Sequence, residues 1–217
     1  MKRDGLSFPE ALELLADRAG IAHRRSGGAQ NQNNKKRLFD VAAWAESLFH
    51  RTLLKDQMAA PARDYLAQRA ISEETIEQFQ LGFSPNDWSW LVRKAQQDSV
   101  DAKDLTTIGL LGISQKTGKP YDRFKGRVLF SIRDPQGRPI ATGGRILPEY
   151  AGETPAKYIN SPETPLFSKS HSLYALDSAK DNRPSQGEPR SIIVTEGYTD
   201  CIIAHQYGFK NCVACLG

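Results

Sequence analysis

Two carboxylates, Glu196 and Asp200, fall one helical turn apart in the stretch Ile192-Ile-Val-Thr-Glu-Gly-Tyr-Thr-Asp200. A Glu at the carboxyl end of a strand in an open α/β sheet sits where such sheets bind ligands. With a helix N-terminus beside it, the pair suits Mg²⁺ and the phosphates that Mg²⁺ brings. The same residues also read as an acidic N-capping turn without chemistry, and the pattern alone leaves both readings open. Cys201, His205, Cys212 and Cys215 offer a second set of ligand types, with a zinc-like spacing from Cys212 to Cys215. Yet Cys212-Val-Ala-Cys-Leu216 is an apolar run without the turn residues of a zinc knuckle. These cysteines are expected to pack as small apolar groups, with no zinc.

The carboxylates need a frame. Ile192 to Thr195 is a short β-branched run and reads as a buried strand. Gly197 lets the backbone turn sharply at little steric cost. Asp200 to His205 carries apolar residues at helical spacing, and Cys212 to Leu216 is a second apolar run just before the sequence stops at Gly217. A parallel α/β unit needs further strands to pack its crossover. The expectation is therefore a fragment, or a gene interrupted at its 3′ end, whose site lacks its other half.

The 217 residues are 39% hydrophobic and 25% charged, ordinary for a soluble protein with a real core. No apolar run approaches a membrane span, and Met-Lys-Arg-Asp at the start lacks the apolar stretch of a signal peptide. With three cysteines confined to the last seventeen residues, this argues for the cytoplasm and against a membrane partner. Net charge is +4, but its distribution says more. From Arg123 to Lys169 the cations are Arg123, Lys125, Arg127, Arg133, Arg138, Arg145, Lys157 and Lys169, against Asp134, Glu149, Glu153 and Glu163. Such an excess beside a Mg²⁺-type carboxylate suits a polyanion, although cations are also common on exposed sheet faces.

Along the chain, Phe8 to Ile21 has apolar residues at i, i+3, i+4 and i+7 and predicts an amphipathic helix. Residues 24–37 (RRSGGAQNQNNKKR) predict a flexible polar linker. A helix over Leu38 to Leu54 follows, burying Leu38, Val41, Ala42, Trp44, Ala45, Leu48 and Phe49. Pro61 opens a shorter helix through Arg69, and Ser72 caps the next, which Gly82 ends. Another helix runs from about Trp88 to Gln97. Arg127 to Ile132 and Pro139 to Ile146, joined by Asp134-Pro-Gln-Gly137, predict a hairpin, and Asp177 to Arg190 a polar link. No internal repeat is present. Trp88 and Trp90 are placed as a staple at a helix start rather than as base-stacking platforms, and His171 as an exposed loop residue.

Several segments, in order along the chain, resemble one family. Tyr65-Leu-Ala-Gln-Arg69 with Ile71-Ser-Glu-Glu-Thr75 and Leu81-Gly-Phe-Ser-Pro85 resembles the opening of the polymerase domain of bacterial replicative DNA primases of the DnaG family. Tyr121-Asp-Arg-Phe-Lys-Gly-Arg-Val-Leu-Phe130, Gly143-Gly-Arg145, Lys157-Tyr-Ile-Asn-Ser-Pro-Glu163 and Phe167-Ser-Lys169 resemble its basic segments. Glu196-Gly-Tyr-Thr-Asp200 resembles the first acidic motif of the Toprim fold.

The resemblance implies template-directed synthesis of short RNA primers on single-stranded DNA. Its partners would be that template, ribonucleotides, the RNA–DNA hybrid and, in full-length members, the replicative helicase. By match of motif, Glu196 would be the acidic residue nearest the chemistry, on Mg²⁺ or Mn²⁺, and Asp200 a supporting carboxylate. Arg69, Arg123, Arg127, Arg145, Lys157, Asn160 and Lys169 would contact nucleic acid, with Ser161 adding a hydrogen bond. Charge reversal at Arg145 or Lys157 would then flatten the salt dependence of binding by about one unit each.

The implied fold is α/β (α+β). Residues 1–23 would be a remnant helix after an absent zinc ribbon, 24–37 the linker, 38–189 the N-terminal subdomain of the primase core, and 190–217 the start of a truncated Toprim domain, with its first βαβ elements. The family's zinc-ribbon cysteines, its later Asp-x-Asp metal motif and its helicase-binding region are not in this sequence, so the chain alone is expected to be inactive. Glycine is usual in the family where Ala70 stands, a change given no functional reading. A non-catalytic single-strand-binding module, or another Toprim enzyme of nucleic acids, is the alternative.

Overall fold

The computed structural model describes Leu15 and residues 29–152, 156–181 and 191–216. The chain divides into two units, 1–37 and 38–217. The helix expected over Phe8 to Ile21 lies outside the described residues apart from Leu15, which is helical.

Helix α1 runs Ala29–Lys55, so the segment 29–37, expected as linker, is helical. Its Gln, Asn and Lys residues supply no apolar face, but a helix already nucleated and packed from Leu38 onward extends at little cost. Helix α2 (Ala60–Gln68) follows with Pro61 in its first turn, and α3 (Glu73–Gln78) is capped by Ser72, whose Oγ accepts from the Thr75 amide. Gly82 does not end α3. That helix ends at Gln78, and Gln80, two residues on, takes a left-handed φ of 48°. Gly82 instead opens strand β1 (Gly82–Ser84), at a point where a Cβ would lie 2.8 Å from Phe49 Cβ. Helices α4 (Trp90–Gln97) and α5 (Ala102–Thr107) precede the small antiparallel ribbon of β2 (Leu111–Ile113) and β3 (Pro120–Asp122).

The expected hairpin forms as β4 (Arg127–Arg133) and β5 (Pro139–Ile146), the centre of an antiparallel sheet ordered β1-β4-β5-β6, with β6 at Tyr158–Asn160. Its turn is closed by Asp134 Oδ1, which accepts from the Gln136 and Arg138 amides, and by Gly137 at φ 82°. The period of two along β4 sends its side chains to both faces. Val128, Phe130 and Ile132 join one core with Leu53, Leu66, Phe83, Tyr174 and Ile202. Leu129 joins another with Leu48, Phe49, Trp90, Leu105 and Phe124.

Helix α6 (Leu176–Asp181) stands inside the stretch expected as a link, whose remainder, 182–190, lies outside the described residues. The chain then forms β7 (Ile193–Thr195), α7 (Tyr198–Gln206) and β8 (Cys212–Ala214), with β7 and β8 parallel. Tyr174 bridges to the far side of β8 through two backbone bonds with Ala214. Against expectation, β7 is not buried: Ile193 is 39% and Val194 59% exposed. Among the described residues its only strand partner is β8, so no second neighbour covers it. No helix of the described residues is long and apolar enough to cross a membrane.

Candidate nucleic-acid and metal site

The loop from β7 to α7 presents Glu196, and the first turn of α7 presents Asp200, on a cavity of about 560 Å³. Gly197 is extended (φ −129°), so its backbone angles do not demand glycine, contrary to the sequence expectation. Its small size matters instead, because a Cβ would come within 3.1 Å of Asp200 Oδ2.

The same cavity is lined by Arg69, Lys157, Asn160 and Lys169, together with Tyr158, Ser161, Tyr198 and Thr199. Residues from the end of α2, from β6, from the 3₁₀ turn at Lys169–His171 and from the β7–α7 loop thus converge, although up to 131 positions (69 to 200) separate them. Arg69, Lys157 and Lys169 are exposed, as are both carboxylates. Two exposed acids and three exposed cations lining one cavity form a site for a ligand carrying several negative charges.

Four of the expected contacts are held differently. Arg127 is buried, and its guanidinium donates to the carbonyls of Gly144, Ala156 and Lys157. Burial, with Arg145 nearby, pulls its pKa below the usual arginine value. It clamps β4, β5 and the entry to β6 rather than reaching solvent. Arg145 is also buried; its Nε donates to Tyr65 Oη at 2.9 Å, and its guanidinium lies between the rings of Tyr65 (5.6 Å) and Tyr158 (5.1 Å). Asn160 uses both ends of its amide inside the protein, accepting from Tyr198 Oη and donating to the Leu216 carbonyl. Ser161 Oγ is buried and bonded to the backbone of Thr142. Arg123 is half-buried and not part of the cavity lining.

Sequence reasoning missed the aromatic scaffold. Tyr198 stacks on Phe130 (4.9 Å, 8°) and meets Tyr174 edge-on (4.8 Å). Burial pushes its pKa up. Its ring fits only because residue 143 is glycine: a Cβ there would lie 2.6 Å from the phenol. The Gly143-Gly pair, read only as part of a basic segment, was the available signal.

The residues of the zinc-like spacing go elsewhere. Cys201 and Cys212 are fully buried, Cys201 Sγ donates to the Cys212 carbonyl at 3.5 Å, and burial raises the Cys201 pKa. His205 Nε2 donates to that same carbonyl at 2.7 Å. Cys215 is exposed. Trp90 is core, stacked on Phe49, whereas Trp88 is exposed.

Residues 49–180 match the family model described as DNA primase catalytic core, N-terminal domain. DNA primase of Deinococcus radiodurans is 42% identical over 98% of this chain, and that of Pseudomonas putida 39% identical over 100% of this chain. The chain spans about a third of those relatives (34% and 32%). It also resembles the DnaG primase catalytic domain bound to ssDNA, with TM-score 0.74 and 34% identity, covering 86% of this chain and 55% of that one. The RNA polymerase domain of Mycobacterium tuberculosis primase DnaG, in complex with double-stranded DNA bearing a 6-nucleotide overhang, gives TM-score 0.75 and 32% identity, covering 84% and 55%. With the matched model covering more than half of its residues, this chain belongs to the family of the DNA primase catalytic core, N-terminal domain.

Proposed function

We propose that this chain supplies the template-holding face and the first acidic residue of a primase, an enzyme that makes short RNA primers on single-stranded DNA. The observation that carries the reading is the convergence of Arg69, Lys157 and Lys169 with Glu196 and Asp200 in one cavity. Cations at this spacing hold a phosphate backbone without reading bases, so binding is expected to be weak, salt-sensitive and indifferent to sequence.

The donor set also fits a divalent ion. Mg²⁺ is commonly held by one or two carboxylates plus water and substrate phosphates, and Glu196 with Asp200 would hold Mg²⁺ or Mn²⁺ here. When bound, the ion neutralises triphosphate charge. Arg69, Lys157 and Lys169 keep the strand and its phosphates beside that position. Ribonucleotides, the RNA–DNA hybrid and a helicase belong to the same proposal, for a chain of the relatives' full length in the cytoplasm.

No three His, Cys, Asp or Glu side chains come together among the described residues. This favours a second reading for these residues taken alone: they bind single strands without synthesis. The test separates the two. In a chain extended to the relatives' length, Glu196→Gln should abolish primer synthesis and leave single-strand affinity nearly unchanged. Full activity in that variant would reduce Glu196 to a structural cap, and absence of binding at low salt would overturn both readings.

A further inference from the structure

Arg69 closes α2, and its amide donates to the Tyr65 carbonyl one turn earlier at 3.3 Å. Residues four apart share a helix face, which brings the two side chains together. The Arg69 guanidinium carbon lies 5.3 Å from the centroid of the Tyr65 ring. Tyr65 is buried in the core with Leu53, Leu66 and Phe83, so its ring is a fixed surface, whereas Arg69 is exposed on the cavity. The hydroxyl end of that ring is anchored too. Tyr65 Oη accepts from Arg145 Nε at 2.9 Å, and the Arg145 guanidinium carbon lies 5.6 Å from the same centroid.

Among the described residues Arg69 forms no ion pair with a carboxylate. A carboxylate would hold a guanidinium and cancel its charge at the same time. An aromatic face holds it through the ring quadrupole and leaves the full positive charge for an incoming anion. A long side chain otherwise loses rotamer freedom when it binds, and the ring removes much of that loss in advance. Among the described residues, neither Lys157 nor Lys169 lies over an aromatic ring, so Arg69 differs from the other cations of the cavity.

We infer that Tyr65 is a positioning residue for nucleic-acid binding: its ring orients Arg69 in the cavity before a phosphate arrives. This rests on the phosphate-holding reading of the cavity above and adds to it a residue that is not part of the cavity lining. The ring acts only through Arg69, so its removal matters only while Arg69 is present.

The test is a double-mutant cycle in this chain, read by fluorescence anisotropy with a labelled oligothymidylate of about 16 nucleotides. Tyr65→Leu should weaken binding about fivefold, the worth of one side chain ordered in advance. Tyr65→Phe keeps the ring and should stay within about twofold. In an Arg69→Gln background Tyr65→Leu should make no further difference, because the group it positions is gone. Persistence of the full loss in that background, an equal loss in Tyr65→Phe, or unchanged affinity in a folded Tyr65→Leu protein overturns the inference and leaves the cavity reading standing. The Arg69 Hδ resonances give a second readout. Ring current should move them upfield in the wild type and in Tyr65→Phe, and the absence of that shift in the wild type also overturns the inference. Where Tyr65→Leu does not fold, Arg69→Lys replaces it: the charge stays but planar stacking is lost, so affinity should fall about threefold at an unchanged salt slope. Equal affinity in Arg69→Lys overturns the inference. Arg69→Gln itself should lower the salt slope by about one. If it alters neither slope nor affinity, Arg69 holds no phosphate, and the inference falls together with the reading it rests on.

Discussion

The Tyr198 hydroxyl donates to Asn160 Oδ1 at 2.6 Å, tying the first turn of α7 to the end of β6. Through the same amide, Asn160 donates to the Leu216 carbonyl. Glu196, two residues before the tyrosine, is therefore positioned by a bond to a distant strand and by a ring stacked on Phe130. The acid and the basic rim are held by one set of contacts.

Tyr198→Phe removes the donor and leaves Asn160 Oδ1 without it, which should cost about 1 kcal/mol in urea unfolding. Gly143→Ala should cost more, about 1–3 kcal/mol, because the new Cβ overlaps the Tyr198 ring. It should also weaken single-strand binding, as the displaced ring carries the β7–α7 loop with it.

Charge loss at Lys157 and at Arg145 should have different outcomes. Lys157 is exposed on the cavity. Lys157→Gln should leave stability within about 0.5 kcal/mol and lower the salt slope by about one. Arg145 is buried between two tyrosine rings, so Arg145→Gln should destabilise the fold by about 2 kcal/mol through lost packing and a lost bond to Tyr65. Equal slopes with equal stabilities would contradict this division.

Asp122 caps α4 from 31 residues away, and burial pushes its pKa up to about 6 despite two backbone N–H donors. The native state thus holds a proton that the unfolded chain, with an ordinary carboxylate pKa, releases. Stability from this group is fully present below about pH 4, falls as pH rises toward 6, and is level above. The change should be on the order of 3 kcal/mol. In Asp122→Asn that slope between pH 4 and 6 should vanish from urea midpoints, whereas an unchanged slope would assign it to other groups.

Ala70 adopts φ 55° after α2, where the Ile71 amide bonds the Leu66 carbonyl in a left-handed helix stop. A methyl group there costs about 1 kcal/mol or more, and glycine's extra freedom when unfolded returns part of it. Ala70→Gly should raise stability by about 0.5 kcal/mol in thermal or urea melts.

The hairpin and most helices were legible because each is set by local pattern: alternation, capping residues, a Pro-x-Gly turn. What resisted reading is set by distant neighbours. The three-residue strands β1, β2, β3 and β6 are too short for a period to register. The exposure of β7 depends on its having one neighbour, and the burial of Arg127 and Arg145 on carbonyls and rings far along the chain. Arg69, Lys157 and Lys169 line one cavity, from segments far apart in the chain. The roles of Gly82, Gly143 and Gly197 follow from what lies opposite them, which no spacing within the sequence reveals.

Gln206, at the last turn of α7, accepts from the Ser72 amide and donates to the Ala70 carbonyl, each at 2.8 Å. One side chain thereby stands in for a strand edge and closes a loop of more than 130 residues. The Ser72 proton can exchange with solvent freely only when that clasp opens. Its deuterium uptake is a built-in clock for how often the acidic loop's supporting helix lifts from the rest, readable at a single amide without an attached dye or tag.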